Sequence, residues 1–139
     1  MKKNIFVFGF DDYNYEHHLK KLEDTKDVKF VPLFTFAEIQ TERKMSVVEL
    51  YKAADKRLAE FEGSIDGIIT FWDYPAPLIV PLLNDKYTGH GNTFEDALKC
   101  EHKYFARLTQ EEAGLKEAPD FDVFNPYDDV TTKDINLDF

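Results

Sequence analysis

Apolar residues in this chain fall into short continuous runs, separated by longer stretches where they recur every three or four positions. Ile5-Phe6-Val7-Phe8 is one such run, closed by Gly9, and it predicts a strand buried on both faces. Tyr15, Leu19 and Leu22 share one side of a helix predicted over residues 15–22. Val28-Lys29-Phe30-Val31-Pro32-Leu33 predicts a second strand. Pro32 assigns it to a strand end or a sheet edge, because proline donates no ladder hydrogen bond. Residues 35–44 carry no firm periodicity. The clearest helix follows: Ser46 and Glu49 make a capping box, Val47, Leu50, Tyr51, Ala54, Leu58 and Phe61 recur at helical spacing, and Gly63 supplies a stop. Asp66-Gly67-Ile68-Ile69-Thr70-Phe71 predicts a third strand.

Trp72-Asp73-Tyr74-Pro75 predicts a turn into another helix, with Asp73 as N-cap and Pro75 in the first turn. Pro77 and Pro81 make that helix irregular, and Pro81 kinks it unless the helix begins late. His90-Gly91-Asn92 fits either a brief fourth strand or a turn. Thr93 and Asp96 cap a helix carrying Phe94, Ala97 and Leu98, and Tyr104, Phe105 and Leu108 mark a last helical face closing at Gly114. Phe121-Asp122-Val123-Phe124 fits a strand. Beyond Pro126 the tail has little apolar surface to offset its ordering entropy and is expected to be poorly ordered.

Strands alternating with helices define βαβ units, hence an α/β, Rossmann-like three-layer fold with a mainly parallel sheet. Ligands of such sheets bind beyond the carboxyl ends of the strands, where the strand order reverses. That rule singles out two loops, residues 9–14 and residues 71–75.

Composition narrows the partners. With 17 basic against 27 acidic side chains, the net charge of −10 repels nucleic-acid phosphates and anionic lipid surfaces. Neither a nucleic-acid nor a membrane partner is expected. One cysteine, Cys100, cannot form an internal disulfide, and the amino-terminal residues lack the apolar segment of roughly 7–15 residues that a secretory signal carries. The mostly apolar run 76–83 falls far short of the roughly 20 residues a membrane helix needs. A cytoplasmic location is the expectation. The 13 Phe and 7 Tyr fit core filling better than a stacking surface.

The loop Gly9-Phe10-Asp11-Asp12 has one glycine where a dinucleotide fingerprint needs three, so Gly9 reads as a tight strand-to-loop turn. Asp11, Asp12 and Asp73 stand where three carboxylates could hold magnesium, as in a phosphoacceptor receiver domain. A receiver also needs a later Lys-Pro, which is absent, and capping explains Asp73 more simply. His17, His18, His90 and His102 lack metal-ligand spacing, so no metal site and no catalytic residue is assigned. Lys103 alone reads as a solvated helical lysine.

The wider pattern changes the weight of Lys103. Asp66-Gly67-Ile68-Ile69-Thr70-Phe71-Trp72-Asp73 through Pro81-Leu82-Leu83-Asn84, the helix Thr93–Leu98, and Cys100-Glu101-His102-Lys103-Tyr104-Phe105-Ala106-Arg107-Leu108 form one ordered series, followed by Gly114 and Ala118-Pro119. Together they resemble the pre-ATP-grasp domain of ATP-grasp ligases and its passage into the nucleotide-binding core. The similarity is to the biotin carboxylase-like and carbamoyl-phosphate-synthetase-like branch. It implies a pre-ATP-grasp domain at 1–100 and the start of a truncated ATP-grasp core at 101–139. Such enzymes activate a carboxylate with ATP and Mg2+ to an acyl phosphate, which an amine or other nucleophile then displaces.

The resemblance implies that Lys103 reaches the ATP phosphates, where an ammonium suits the charge that builds on phosphoryl oxygens. Aspartate often precedes that lysine in the family; His102 stands here. Gly9, Phe10, Asp11, Asp73 and Tyr74 are the implied substrate-side crevice. The implied partners are the ATP-grasp core of the same parent chain and a small-molecule carboxylate, with a homodimer left open. The chain alone is expected to bind no cofactor and to be inactive. The alternatives are a stand-alone flavodoxin-like or receiver-like binding or signalling module, and a scaffold protein pairing through an aromatic surface.

Overall fold

The computed structural model describes residues 2–41, 46–116, 119–125 and 127. Its elements run β1 (Lys3–Phe10), α1 (Asp12–Asn14), a π-helical turn (Tyr15–Leu19), α2 (Lys20–Thr25), β2 (Val28–Thr35), α3 (Phe36–Thr41), α4 (Val47–Ala59), β3 (Gly67–Thr70), α5 (Ala76–Tyr87), α6 (Phe94–Glu101) and α7 (Lys103–Glu112). The chain divides into two compact units, Met1–Ala97 and Leu98–Phe139.

In the first unit β1 is the central strand, paired in parallel with β2 on one side and β3 on the other. The fold is therefore a Rossmann-like α/β fold with a three-stranded, all-parallel open sheet. Successive β1 side chains alternate between faces, as a pleated strand requires. Phe6 and Phe8 enter the larger core with Leu33, Leu50, Leu58, Ile79 and Leu83, against α4 and α5. Val7 enters the smaller one with Leu19 and Phe30, on the opposite face. Three layers result, and β2 lies at an edge, as Pro32 indicated.

Backbone groups on both outer strands are taken by side chains. On β3, the Ile68 N–H donates to Oδ1 of Asn84 at 3.0 Å, and Nδ2 of Asn84 donates to the Ile68 carbonyl at 2.7 Å. On β2, the Phe30 N–H donates to Glu23 at 2.5 Å and the Leu33 carbonyl accepts from Arg57 at 2.8 Å. Such coverage hinders the pairing of further strands.

Several expectations are corrected. The predicted helix 15–22 is a longer helical segment, 12–25, broken by the π turn, which leaves Leu22 exposed. Residues 36–41, without periodicity, form α3. Helix α4 keeps its capping box but ends at Ala59, with Glu60 as its C-cap, so Gly63 is not its stop. The N-cap of α5 is Pro75, not Asp73, and Pro81 sits inside a helix that continues to Tyr87. Residues 90–92 form no strand and carry only a bend at Gly91, and no strand forms at residues 121–124. The tail beyond Pro126, apart from Tyr127, lies outside the described residues, as does Ala118.

In the second unit α7 ends as the sequence indicates. Gly114 takes φ 71°, the Gly114 N–H donates to the Glu111 carbonyl, and the Leu115 N–H reaches back to Gln110. This is a Schellman closure, and glycine suits it because it carries no Cβ. A break at His102 separates α6 from α7 and makes Lys103 the first residue of α7.

Candidate functional site

Strand order β2-β1-β3 places the reversal of direction between β1 and β3, because the chain leaves β1 for β2 and then crosses back to the other side. The loops leaving β1 and β3 therefore stand side by side at one end of the sheet. They are the two loops, 9–14 and 71–75, that the sequence singles out.

Trp72 joins them. Its Nε1–H donates to the Gly9 carbonyl at 2.5 Å, and its ring lies over the Gly9 backbone so closely that a Cβ there would sit 2.2 Å from Cδ1. The indole also stacks on Phe36, with centroids 3.8 Å apart and planes 9° apart. Thr70 continues the link: its hydroxyl donates to the Phe8 carbonyl and accepts from the Trp72 N–H. Gly9 is thus not a turn after the strand. It lies within β1 at an irregularity of register, with φ 86°, and is glycine because an indole occupies the space of any side chain.

The remaining crevice residues differ in what they have left to offer. The ring of Phe10 packs against Tyr15, 5.3 Å between centroids, in the smaller core. Both Asp11 carboxylate oxygens accept from Asn14, one from its backbone N–H and one from its Nδ2. Asp73 is exposed, and its Oδ1 accepts from the Tyr74 N–H. Tyr74 is 65% exposed, beside Phe71 at 47%, and Tyr13 on the other loop is 68% exposed. Gly9, Phe10, Asp11, Asp73 and Tyr74 all belong to the first unit, whereas Lys103 belongs to the second.

Beside the crevice, α3 is held to the end of β2 by Glu38. Its carboxylate accepts from Arg57, from the Thr35 N–H and from the Thr35 hydroxyl. The Arg57 guanidinium lies 3.9 Å from the centre of the Phe34 ring. Arg57 first, then the Thr35 N–H, hold the Glu38 carboxyl well below the usual carboxylate range, at about 2. A depressed carboxylate pKa means stability that is complete above the ordinary value of 4.5 and is lost as pH falls toward 2. Glu38 and Arg57 side chains are 40% and 45% exposed, so solvent screening leaves about 1 kcal/mol. Urea unfolding at pH 6 and pH 3, compared with Glu38→Gln, checks it: the gap between the proteins shrinks by roughly half at pH 3. An unchanged gap counts against the clamp.

Lys103 is exposed at the first position of α7, where His102 offers no side-chain cap. A cation at that end opposes the helix dipole, at a cost of about 0.3–1 kcal/mol, so helix stability does not account for it. The second unit also carries a groove of about 390 Å3 lined by Arg107, Lys116, Glu111 and Asp120. Among the described residues, no group of three or more His, Cys, Asp or Glu side chains is placed to hold a metal ion, and no helix is long and apolar enough to cross a membrane.

The sequence placed Trp72 within a candidate loop but gave it no role, and it missed Phe36 as a part of the site. Trp72 had one signal, as the single tryptophan of the chain placed directly after the third strand. Comparison with models of known families, with curated proteins and with solved structures gave no match. The class that the fold defines is a Rossmann-like α/β protein with a three-stranded parallel sheet.

Proposed function

We propose that the chain is the N-terminal, substrate-side domain of an ATP-dependent carboxylate–amine or carboxylase-type ligase of the ATP-grasp superfamily, acting only with the nucleotide-binding core. The observation that supports this reading is the strand order β2-β1-β3, which sets the loops 9–14 and 71–75 together at one switch point. They would form one wall of the substrate crevice. The series of a capped helix α6, a lysine opening α7, a glycine closure at Gly114 and Pro119 also keeps the order on which the resemblance rests.

In this reading Lys103 contacts the ATP phosphates. A phosphate near the start of α7 would turn the unfavourable placement of its ammonium into a favourable one. ATP supplies the phosphoryl group that activates the carboxylate, and the reading assigns magnesium ligation to the core. A cytoplasmic location belongs to the same proposal.

Calorimetry with ATP·Mg tests it, on this chain and on the polypeptide extended through the coding sequence downstream. The expected result is binding by the longer protein only, weakened at least tenfold by Lys103→Ala. That factor is about 1.4 kcal/mol. Full affinity in the short chain, or no binding by either, would replace the ligase with a self-contained module. The order β2-β1-β3, which also begins the flavodoxin-like arrangement, makes that module the second reading.

A further inference from the structure

The end of α5, the loop after it and the start of α6 enclose a cleft of about 320 Å3 within the first unit. Bonds of the chain itself fix its walls. The Thr88 and Gly89 N–H groups both donate to the Asn84 carbonyl, at 2.8 and 2.9 Å, and the Thr88 hydroxyl accepts from the His90 N–H at 3.1 Å. Gly91, with φ 117°, lies over the Asn84 side chain, which a Cβ there would meet at 3.5 Å. On the other side the Thr93 hydroxyl caps α6, donating to the Asp96 carboxylate at 2.7 Å and accepting from the Asp96 N–H at 3.1 Å. A ligand therefore meets a cleft formed in advance, as small-molecule sites usually are.

Pro81, Leu82 and Phe94 give the cleft its apolar surface, with Leu82 38% and Phe94 40% exposed. Asp85, His90 and Asn92 give its polar one. Among the described residues these three side chains make no hydrogen bond or ion pair, so a ligand displaces water from them and breaks no bond of the protein. Their chemistry is mixed. A carboxylate only accepts, whereas an amide and a neutral imidazole each donate and accept. An ammonium ion would use the acceptors alone. An anion would meet Asp85, with no lysine or arginine among the described residues that line the cleft. A hydroxyl both donates and accepts, so several on one ring answer all three side chains. The C–H face of such a ring suits Leu82 and the face of Phe94, whose quadrupole attracts C–H dipoles.

We infer that this cleft binds a neutral, polyhydroxylated ring of monosaccharide size, with Asp85, His90 and Asn92 on its hydroxyls and Leu82 and Phe94 against its C–H face. The inference goes beyond the ligase reading and does not depend on it.

Gly89 and Gly91 line the cleft, and glycine amides stand apart in a nitrogen–proton NMR correlation spectrum, so their signals report binding directly. The probes are the methyl glycosides of glucose, galactose and mannose. Cyclohexanol, cyclohexylammonium chloride and sodium glucuronate, at equal ionic strength, are the controls. Expected is a saturable movement of both glycine signals with at least one glycoside, and a weaker response to every control. Asp85→Ala should weaken that binding by roughly fivefold or more, the effect of one lost hydrogen bond, and Phe94→Ala by a similar factor. Both residues are exposed, so the variants keep the fold, which circular dichroism verifies. Unmoved signals with all three glycosides, an equal response to any control, or unchanged affinity in either variant would overturn the inference.

Discussion

Asn84→Leu is expected to lower the unfolding free energy by about 3 kcal/mol or more and to make the protein self-associate. Asn84 is 8% exposed and stands on the inner face of α5, among Ile79, Val80 and Leu83. Leucine matches its size closely and suits its neighbours, so packing alone would favour the change. The loss lies in hydrogen bonding: the Ile68 N–H and carbonyl on β3 both depend on the Asn84 amide. Each buried backbone group left unpaired costs about 1–3 kcal/mol. The freed edge can recover that loss only by pairing with another strand, and in solution a second molecule supplies one. Urea unfolding measures the first effect as a lower midpoint at unchanged slope, and sedimentation measures the second. A monomer within 1 kcal/mol of the parent protein would show that β3 needs no such cover.

That role for Asn84 could not be read from the sequence, although the helix carrying it could. Periodicity reports which face of a helix is apolar, and a lone polar residue on that face has no partner until the strand beside it is known. The strands themselves were legible because burial on both faces demands continuous apolar runs such as Ile5–Phe8, which no helix of that length would explain. The start of α4 was legible for a different reason: Ser46 and Glu49 satisfy each other's local backbone groups, so the signal is complete within four residues. The end of α4 was not, since helices also stop without glycine. The π turn over Tyr15–Leu19 was hidden because Tyr15, Leu19 and Leu22 satisfy an ordinary helical pattern equally well.

The site divides in the same way. Its location followed from the alternation of elements and a topological rule, and both need only the order of strands and helices. Its interior did not, because Trp72 meets Gly9 across 63 positions and Phe36 across 36. Asp73 shows how a local rule misleads: an aspartate two residues before a proline looks like a helix cap, yet the helix begins later, after Pro75, and the carboxylate serves the Tyr74 N–H. What remained legible was composition. The three aspartates of these loops, Asp11, Asp12 and Asp73, were legible as carboxylates at the strand ends, although among the described residues no group of three is placed to hold a metal ion.

Gly9→Ala is the substitution expected to damage the crevice most, with a loss of about 2–4 kcal/mol and a displaced Trp72. Two costs add. A φ of 86° disfavours any L side chain by about 1–2 kcal/mol. The new methyl would also lie 2.2 Å from Cδ1 of Trp72, inside the contact distance of any two carbon atoms, so the indole must leave. With it go the hydrogen bond to the Gly9 carbonyl and the stack on Phe36. Gly89→Ala separates the two costs, because Gly89 has φ 66° and nothing within 4 Å of the place its methyl would take, leaving backbone strain alone. Urea unfolding of both variants, followed through Trp72 emission, is the measurement. Gly9→Ala should lose at least 1 kcal/mol more than Gly89→Ala and shift the native emission to longer wavelength as the indole meets water. Equal losses and an unmoved emission maximum would mean that the indole does not close the space over Gly9.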